Sequence, residues 1–492
     1  MRYADLIFLY LFLLQITEVW SQQTASPPNV LFISIDDLRP ELGCYGNPIV
    51  QSPNLDKFAS QAHLFTNHFV TVPTCGASRY GLLTGLYPRT ETAVSNDAIR
   101  KLIAEQPKED RPETFVANLR RNVYYTVGIG KISHYVDGLL YGYTDPVGTE
   151  WELPDSWDEM LFDAGKWGTG WNAFFGYADG SNRQGKNKQV KPYEAADVPD
   201  TGYPDGLTTE LALKKLQELS DKDQPFFLGV GFFKPHLPFN APKKYWDLYD
   251  RAEIPLTNSP DIPANVHPAS LQNNGEFNNY QLGDEPATLE QPVSDEYARK
   301  LKHGYYASIS YIDAQVGRVL DELARLGLEK NTIIIVWGDH GWHLGDDRIW
   351  GKHTNFEYAL RSAFMIKTPN NNQGKQHNEI VSTVDIYPTL MELCNTEASH
   401  SLDGNSLVSL LNNPNSANWR NTAYSYFRQG ITVRTDRYRL TKYFREEQPT
   451  LELYDHQADP YENENVAAQS PDLVESLLPI WEEGNTGVFE GH

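Results

Sequence analysis

Cysteine is scarce in this chain, with only Cys44, Cys75 and Cys394 among 492 residues. A fold of this size with so few cysteines does not depend on a disulfide framework. Cys44 and Cys394 could pair if Cys75 is modified, but their separation in sequence does not determine their geometry.

Asn-x-Ser/Thr glycosylation acceptors are absent. Without such a site, the chain cannot carry the N-linked glycan that glycan-dependent lysosomal targeting requires. A bacterial periplasmic or secreted protein is therefore favoured over a lysosomal one.

The chain also has fewer basic than acidic residues. The chain has 42 lysines and arginines against 65 aspartates and glutamates, which gives a formal net charge of −23. This balance excludes a general affinity for nucleic acid or other polyanions. An anionic ligand must therefore meet a local basic pocket.

Long apolar runs are missing except at the N-terminus. The run over residues 6–14 follows Arg2 and is too short to span a bilayer comfortably. Val19-Trp20-Ser21 fits a cleavage site after Ser21, while Asp5 near the positive end leaves a retained anchor as the alternative. We expect a signal peptide over residues 1–21, export of the mature chain, and no membrane span after cleavage.

Several apolar runs with strand character end abruptly in ionisable residues. The runs are 29–35, 123–130, 226–233 and 332–338. The polar residues that follow them are Asp36 and Asp37, Lys131 and His134, Lys234 and His236, and Asp339 and His340, with Lys352 in the next loop. Such runs are typical of strands buried on both faces of a parallel sheet. Because ligands bind at the carboxyl ends of these strands, we expect the polar residues to share one pocket.

The remaining patterns predict the organisation of the chain. Helices are predicted over 56–63, 208–219 and 297–326. Residues 141–204 are rich in Gly, Asp, Trp and Pro, which predicts long loops over the pocket mouth. Beyond residue 400, short alternating runs predict antiparallel strands, followed by a closing helix over 470–483. We therefore predict an α/β catalytic domain over 22–400 and a smaller subdomain over 401–492.

The acidic pairs have two interpretations. Asp36-Asp37 and Asp339-His340 would each be a turn or a helix cap in many proteins. Both pairs at strand ends of one domain favour a hard-cation site, because carboxylate oxygens suit Ca²⁺ or Mg²⁺. No Cys/His cluster indicates zinc. Taken singly, the nearby lysines and histidines have the ordinary interpretation of surface or loop residues.

Cys75 opens the run Cys75-Gly76-Ala77-Ser78-Arg79, which precedes a helix-like apolar stretch. A cysteine at a helix N-terminus beside an arginine would have a lowered pKa and could act as a thiolate nucleophile. The same five residues, taken alone, are compatible with an ordinary helix start. The run also resembles the signature in which a sulfatase cysteine is oxidised to formylglycine.

Taken together, these motifs resemble those of the type I sulfatases, most closely their iduronate-2-sulfatase-like members. The resemblance covers most of the chain from Asn29 to Pro460, with one departure at Ala77, where the usual motif has proline. It implies an alkaline-phosphatase-like α/β fold with a mainly parallel central sheet flanked by helices. It also implies a smaller C-terminal α+β subdomain with antiparallel strands.

The resemblance further implies the chemistry at the pocket. Cys75 would be converted to formylglycine by a formylglycine-generating enzyme during maturation. Ca²⁺ would be bound by Asp36, Asp37, Cys75, Asp339 and His340.

The same resemblance assigns roles to the basic residues. Arg79 would steady the formylglycine, while Lys131 and Lys352 would hold sulfate oxygens. His134 and His236 would move protons, with His236, together with Lys352, placed to protonate the departing alcohol.

Substrate choice is expected to depend on the loops around Trp342, His343 and residues 151–187. The Trp342 ring could stack on a pyranose, and packing of the loop is its alternative role. The implied substrate is a sulfated sugar, either a uronic acid 2-sulfate or another sulfated polysaccharide end. Two other functions stay open. One is a phosphatase or phosphodiesterase of the related alkaline phosphatase superfamily, and the other is a non-catalytic sulfated-glycan-binding protein with unmodified Cys75.

Overall fold

The computed structural model describes residues 27–413 and 419–490. The predicted signal peptide over residues 1–21 lies outside the described residues. Within the described ranges, no helix combines the length and the apolar character that crossing a bilayer requires.

The strands, β1 to β16 in chain order, are Asn29–Ile35, His63–Phe69, Tyr125–Gly130, Glu159–Leu161, Tyr193–Ala196, Phe226–Phe232, Phe239–Pro242, Thr332–Gly338, His343–Leu344, Trp350–Gly351, Phe364–Lys367, Lys375–Ser382, Ala423–Phe427, Gly430–Arg434, Tyr438–Tyr443 and Thr450–Asp455. The α-helices, α1 to α11, are Pro53–Ala59, Cys75–Thr84, Phe115–Arg121, Gly170–Phe174, Pro204–Ser220, Lys243–Trp246, Asp295–Arg325, Glu357–Leu360, Ile386–Cys394, Val408–Asn412 and Pro471–Glu482.

A central sheet of eight strands organises the molecule, in the order β12-β2-β11-β8-β1-β6-β3-β4. β8, β1, β6 and β3 are neighbours and run parallel. These are the four apolar runs singled out in the sequence, so the prediction that they form one parallel sheet is confirmed. β11 is antiparallel to its neighbours β8 and β2, which makes the sheet mixed towards that edge.

The core lies on both faces of this sheet. Along β1, Leu31 and Ile33 pack in one cluster with residues of α1, α5 and α7. Val30 and Phe32 pack in the other, with residues of α2, α3 and α9. Because successive strand side chains point to opposite faces, β1 is apolar on both faces from Val30 to Ile33, and its ionisable residues fall beyond its end, while the small polar Ser34 lies within it.

The long predicted helix is confirmed as α7, which starts where Ser294 accepts a hydrogen bond from the backbone N–H of Tyr297. The prediction over 56–63 was wrong at both ends. α1 starts at Pro53, since proline suits the first turn of a helix, and it ends at Ala59 before β2 begins. Residues 141–204 also contain regular elements, namely β4, α4 and β5, within the predicted loops.

The C-terminal strands β13 to β16 form a separate antiparallel sheet in sequential order, as the alternating runs predict. α11 packs on this sheet, and its Trp481 donates a hydrogen bond to the carbonyl oxygen of Ile431 at 2.8 Å. Val72 and Ala77 belong to the same apolar cluster. The C-terminal sheet therefore supports the start of α2, the helix that begins at Cys75.

Candidate active site

One buried pocket collects the polar residues predicted from the sequence. Asp36 and Asp37 follow β1, Asp339 follows β8 and Lys131 follows β3, while Cys75 is the first residue of α2. All of these side chains are almost inaccessible to solvent. Parallel neighbouring strands bring their carboxyl ends to one sheet edge, which is why residues about 300 positions apart meet here.

Arg79 holds two of the carboxylates in place. Its guanidinium is fully buried and lies 3.2 Å from Asp36 Oδ1 and 3.0 Å from Asp339 Oδ2. It also donates to Ser34 Oγ at 2.9 Å and to the carbonyl oxygen of Ile132 at 3.1 Å. A buried arginine with this many acceptors fixes the positions of the groups around it.

Two lysines complete the charge balance. Lys131 Nζ lies 2.7 Å from Asp36 Oδ2, and Lys352 Nζ lies 2.8 Å from Asp37 Oδ1 and 3.3 Å from Cys75 Sγ. Burial acts to lower the pKa of each lysine, but the surrounding negative groups together outweigh it, with Asp36 the strongest of them at Lys131 and Asp37 the strongest at Lys352. Both ammonium groups therefore stay charged beside the Cys75 side chain.

The acidic side chains fit a hard cation. Single ligand atoms of Asp36, Asp37, Cys75 and His236 lie within 4.8 Å of one another, and so do those of Cys75, Asp339 and His340. Asp37 Oδ2 is buried without a hydrogen-bond partner. An orphaned carboxylate oxygen among other carboxylates is a donor set that suits Ca²⁺ better than Zn²⁺.

The thiolate interpretation of Cys75 is wrong. Burial and the nearby Asp36 carboxylate raise the pKa of Cys75 to about 12, despite its place at the start of α2. The thiol is therefore protonated at neutral pH and is a poor nucleophile as it stands. Cys44 and Cys394 are likewise free, so they do not form the disulfide that the sequence left open.

The two histidines are in different surroundings. His134 Nδ1 is buried without a partner, and burial together with Lys131 holds its pKa well below the usual value. His236 contacts the carbonyl oxygen of Leu237 through Nδ1 at 2.7 Å and Glu276 Oε1 through Nε2 at 3.0 Å. Burial and Lys352 lower the pKa of His236 to about 4, while its contact with Glu276 acts to raise it. His134 is thus neutral and can accept a proton. Both ring nitrogens of His236 face hydrogen-bond acceptors, the carbonyl oxygen of Leu237 and the carboxylate of Glu276.

Glu276 is a site residue that the sequence did not reveal. Besides contacting His236, its Oε2 lies 3.7 Å from Lys352 Nζ and has no hydrogen-bond partner. Burial acts to raise the pKa of Glu276, but Lys352 and His236 hold it well below the usual value. Because Glu276 sits in an irregular segment between α6 and α7, no periodicity or motif could identify it.

Aromatic residues of the predicted mouth form one wall of the pocket. The Phe174 ring lies 4.5 Å from the His236 ring and 4.3 Å from Lys131 Nζ. The Trp171 ring lies 5.7 Å from the His134 ring. The sequence predicted that this region covers the pocket, but not which side chains face it.

Trp342 and His343 do not face the mouth. The Trp342 ring is fully buried in the main core cluster, where it packs against Phe239 at 6.3 Å and lies beneath Lys352 Nζ at 5.3 Å. His343 is also fully buried and shares a hydrogen bond with Thr354 Oγ1 at 2.8 Å. A sugar ring has no free face of Trp342 to stack on, so the structure gives this residue the alternative role of packing.

Comparison with known proteins identifies the class of molecule. The sequence profile of the sulfatase family matches residues 28–396, and the profile of the N-sulphoglucosamine sulphohydrolase C-terminal region matches residues 338–477. The chain therefore belongs to the sulfatase family and is a sulfuric ester hydrolase, as the motif set predicts.

Among its relatives, iduronate 2-sulfatase of Homo sapiens is 30% identical over 411 residues, covering 77% of this chain and 70% of the human protein. A sulfatase of Formosa agariphila is 30% identical over 488 residues, covering 95% and 90% of the two chains. The crystal structure of a phosphonate monoester hydrolase of Agrobacterium radiobacter superposes with a TM-score of 0.73 at 24% identity, covering 93% of this chain and 96% of that one. This likeness confirms the predicted fold class.

Proposed function

We propose that this sulfatase removes sulfate from a sulfated sugar, with formylglycine at position 75 and Ca²⁺ bound by the surrounding acidic residues. The observation that carries the proposal is the placement of Cys75 between two charged lysines and a carboxylate cluster inside a buried pocket. A protonated thiol cannot perform the chemistry, whereas the hydrated aldehyde of formylglycine offers a hydroxyl that can attack sulfur. Ca²⁺, when bound, neutralises charge on the sulfate oxygens.

The residues of the chain have distinct tasks in this proposal. Asp36, Asp37, Asp339 and His340 would hold the cation, with Asp37 Oδ2 free to ligate it. Arg79 fixes Asp36 and Asp339 from behind the site. Lys131 and Lys352 bind the sulfate oxygens, since both ammonium groups are charged and point into the pocket.

Proton transfer is assigned to the two histidines. His236 donates a proton to the departing sugar oxygen, because its contact with Glu276 acts to raise its pKa against the effect of burial, and negative charge that develops on that oxygen would act in the same direction. His134 accepts a proton from the group at position 75, because its Nδ1 has no other partner. General acid–base help of this kind contributes roughly 10²- to 10⁴-fold to a reaction rate.

A uronic acid 2-sulfate or another sulfated polysaccharide end is the proposed substrate. Support comes from the relatives, which include iduronate 2-sulfatase. The test is a panel of sulfated monosaccharides and disaccharides, a nitrophenyl sulfate and a nitrophenyl phosphate, assayed for released sulfate or phosphate. Peptide mass analysis checks for formylglycine, which lowers the mass at Cys75 by about 18 Da. Faster release of phosphate than of sulfate would contradict the proposal.

We expect His236→Ala to cost far more with a sugar sulfate than with an aryl sulfate. A sugar alkoxide needs a proton as the S–O bond breaks, whereas a nitrophenolate leaves without one. The loss in kcat/KM should be roughly 10²- to 10⁴-fold on the sugar and about tenfold or less on the aryl ester. Steady-state kinetics with both substrates measures the difference. Equal losses would assign His236 to sulfate binding instead.

We expect about one Ca²⁺ per chain by elemental analysis, and a lower melting temperature after treatment with a chelator. Asp37→Asn should weaken calcium binding by at least about tenfold, since Asp37 supplies the orphaned oxygen. Asp205→Asn is the matched control, because Asp205 is also buried with an unpartnered Oδ2 but lies outside the metal clusters. Two zinc ions per chain would support the phosphatase alternative.

A further inference from the structure

Arg183 is a buried arginine without a carboxylate partner. Its side chain belongs to the segment between α4 and β5, and the residue is 6% exposed. Among the described residues it forms no ion pair, and its Nε has no hydrogen-bond partner. A guanidinium withdrawn from water and left unpaired is costly, so such a residue indicates an anionic ligand.

The residues around Arg183 fix the position of its guanidinium. The guanidinium lies 3.6 Å from the centroid of the Phe175 ring and 5.2 Å from that of Tyr280, whose hydroxyl accepts a hydrogen bond from Nη1 at 3.4 Å. The backbone N–H of Arg183 donates to the carbonyl oxygen of Phe175, and its own carbonyl accepts from Lys188. Stacking on aromatic faces stabilises a cation while leaving the edge of the guanidinium free for an anion.

This arginine lies near His236 of the sulfate pocket. Since the Phe175 ring centroid is 6.4 Å from the His236 ring, the guanidinium is within about 10 Å of that histidine. Tyr143 packs edge-on against Phe175 and is 44% exposed, so it lines the opening beside them. Because His236 is the residue proposed to protonate the departing sugar oxygen, this upper bound puts Arg183 within reach of another substituent of the substrate.

An acidic residue lies near the same tyrosines, since Glu276 acts to raise the pKa of Tyr143 and Tyr280 while Arg183 acts to lower it. Glu276 contacts His236 and Lys352, and its side chain is 23% exposed at the opening. A negative group on a sugar would be repelled from Glu276 and attracted to Arg183.

We propose that Arg183 binds a second anionic group, a carboxylate or a second sulfate, on the sugar whose sulfate is removed. The inference rests on the proposed function, because it places this group relative to the sulfate held by Lys131 and Lys352. Both groups present paired oxygens that a guanidinium can bind with two parallel hydrogen bonds.

The kinetic test compares substrates that differ in the second group. A uronate 2-sulfate, a disulfated hexosamine, a neutral hexose monosulfate and a nitrophenyl sulfate are assayed with the wild type, Arg183→Met and Arg183→Lys. Arg183→Met keeps most of the stacking surface, and we expect it to lower kcat/KM roughly 10- to 100-fold more on one doubly anionic sugar than on the neutral sugar. Arg183→Lys should restore part of that ratio. A selective loss on the uronate identifies a carboxylate, and one on the disulfated sugar identifies a sulfate.

Lys186→Gln is the matched control, since Lys186 is an exposed cation of the same segment and should leave the substrate ratio as in the wild type. Equal losses by Arg183→Met on all four substrates would overturn the inference. Calorimetry in a Cys75→Ala background separates this outcome from failure of the proposed function, because binding needs no turnover. There Arg183→Met should weaken binding of the doubly anionic sugar at least tenfold, and equal affinities would overturn the inference even if no substrate is hydrolysed.

Discussion

Cys75→Ala should abolish sulfate release, with kcat/KM falling by on the order of 10⁴-fold or more, in a protein that stays folded. The substitution removes the atom from which the nucleophile is made. It removes little packing, because the side chain is small and its Sγ contacts polar groups of Lys352 and His340. Sulfate release measures the first effect, and circular dichroism with thermal melting measures the second.

Cys44→Ala is the control for loss of a thiol, since Cys44 lies beside α1, away from the pocket, and should retain activity. Cys75→Ser should also be inactive if the maturation enzyme accepts only cysteine. Near-normal turnover by Cys75→Ala would eliminate the proposed mechanism. A folded but inactive Cys75→Ala together with a wild type of unmodified mass would favour the glycan-binding alternative.

Arg79→Met should lower the free energy of unfolding by about 3–5 kcal/mol in calcium-free buffer, and activity should be lost with it. Without the guanidinium, Asp36 keeps Lys131 as its one lysine or arginine partner among the described residues, and Asp339 loses its ion pair with Arg79. Urea denaturation of the metal-free protein measures the change in stability.

Arg89→Met provides the comparison, because Arg89 forms a short ion pair with Asp403 at 2.7 Å but its side chain is 54% exposed. An exposed pair of this kind contributes at most about 1 kcal/mol. Similar losses for the two variants would mean that Arg79 does not support the carboxylates as the contacts suggest. Addition of calcium should reduce the Arg79→Met penalty, since a bound cation neutralises the same carboxylates.

The location of the site was predictable because ionisable residues directly follow each apolar strand-like run. Asp36, Lys131 and Asp339 follow strands that are apolar on both faces, and such strands are parallel and share one functional edge. The sequence did not reveal that β1 lies between β6 and β8, nor that β11 inserts antiparallel beside β8. The order of strands in the sheet depends on how the segments that connect them pack, and the sequence of a single strand does not contain that information.

The predictions for Trp342 and Cys75 were wrong because the sequence does not show how deeply each side chain is buried. Trp342 follows the turn Asp339-His340-Gly341, and its sequence position alone suggests a sugar contact, but the ring is buried in the core. Cys75 starts a helix beside Arg79, which suggests a thiolate, yet desolvation outweighs those effects and raises the pKa of Cys75 to about 12. Glu276 and Arg183 come from irregular segments, and only the folded chain brings them to the pocket.

The position of β1 in the middle of the sheet affects how the protein is made. β1 pairs with β6, about 200 residues later, and with β8, about 300 residues later. At a synthesis rate of about 5–20 residues per second, β1 leaves the ribosome roughly 15–60 s before β8 exists to cover its second edge. Until β6 is made, this strongly apolar strand lacks both hydrogen-bonding neighbours, and until β8 is made it lacks one, which makes the nascent chain prone to aggregation.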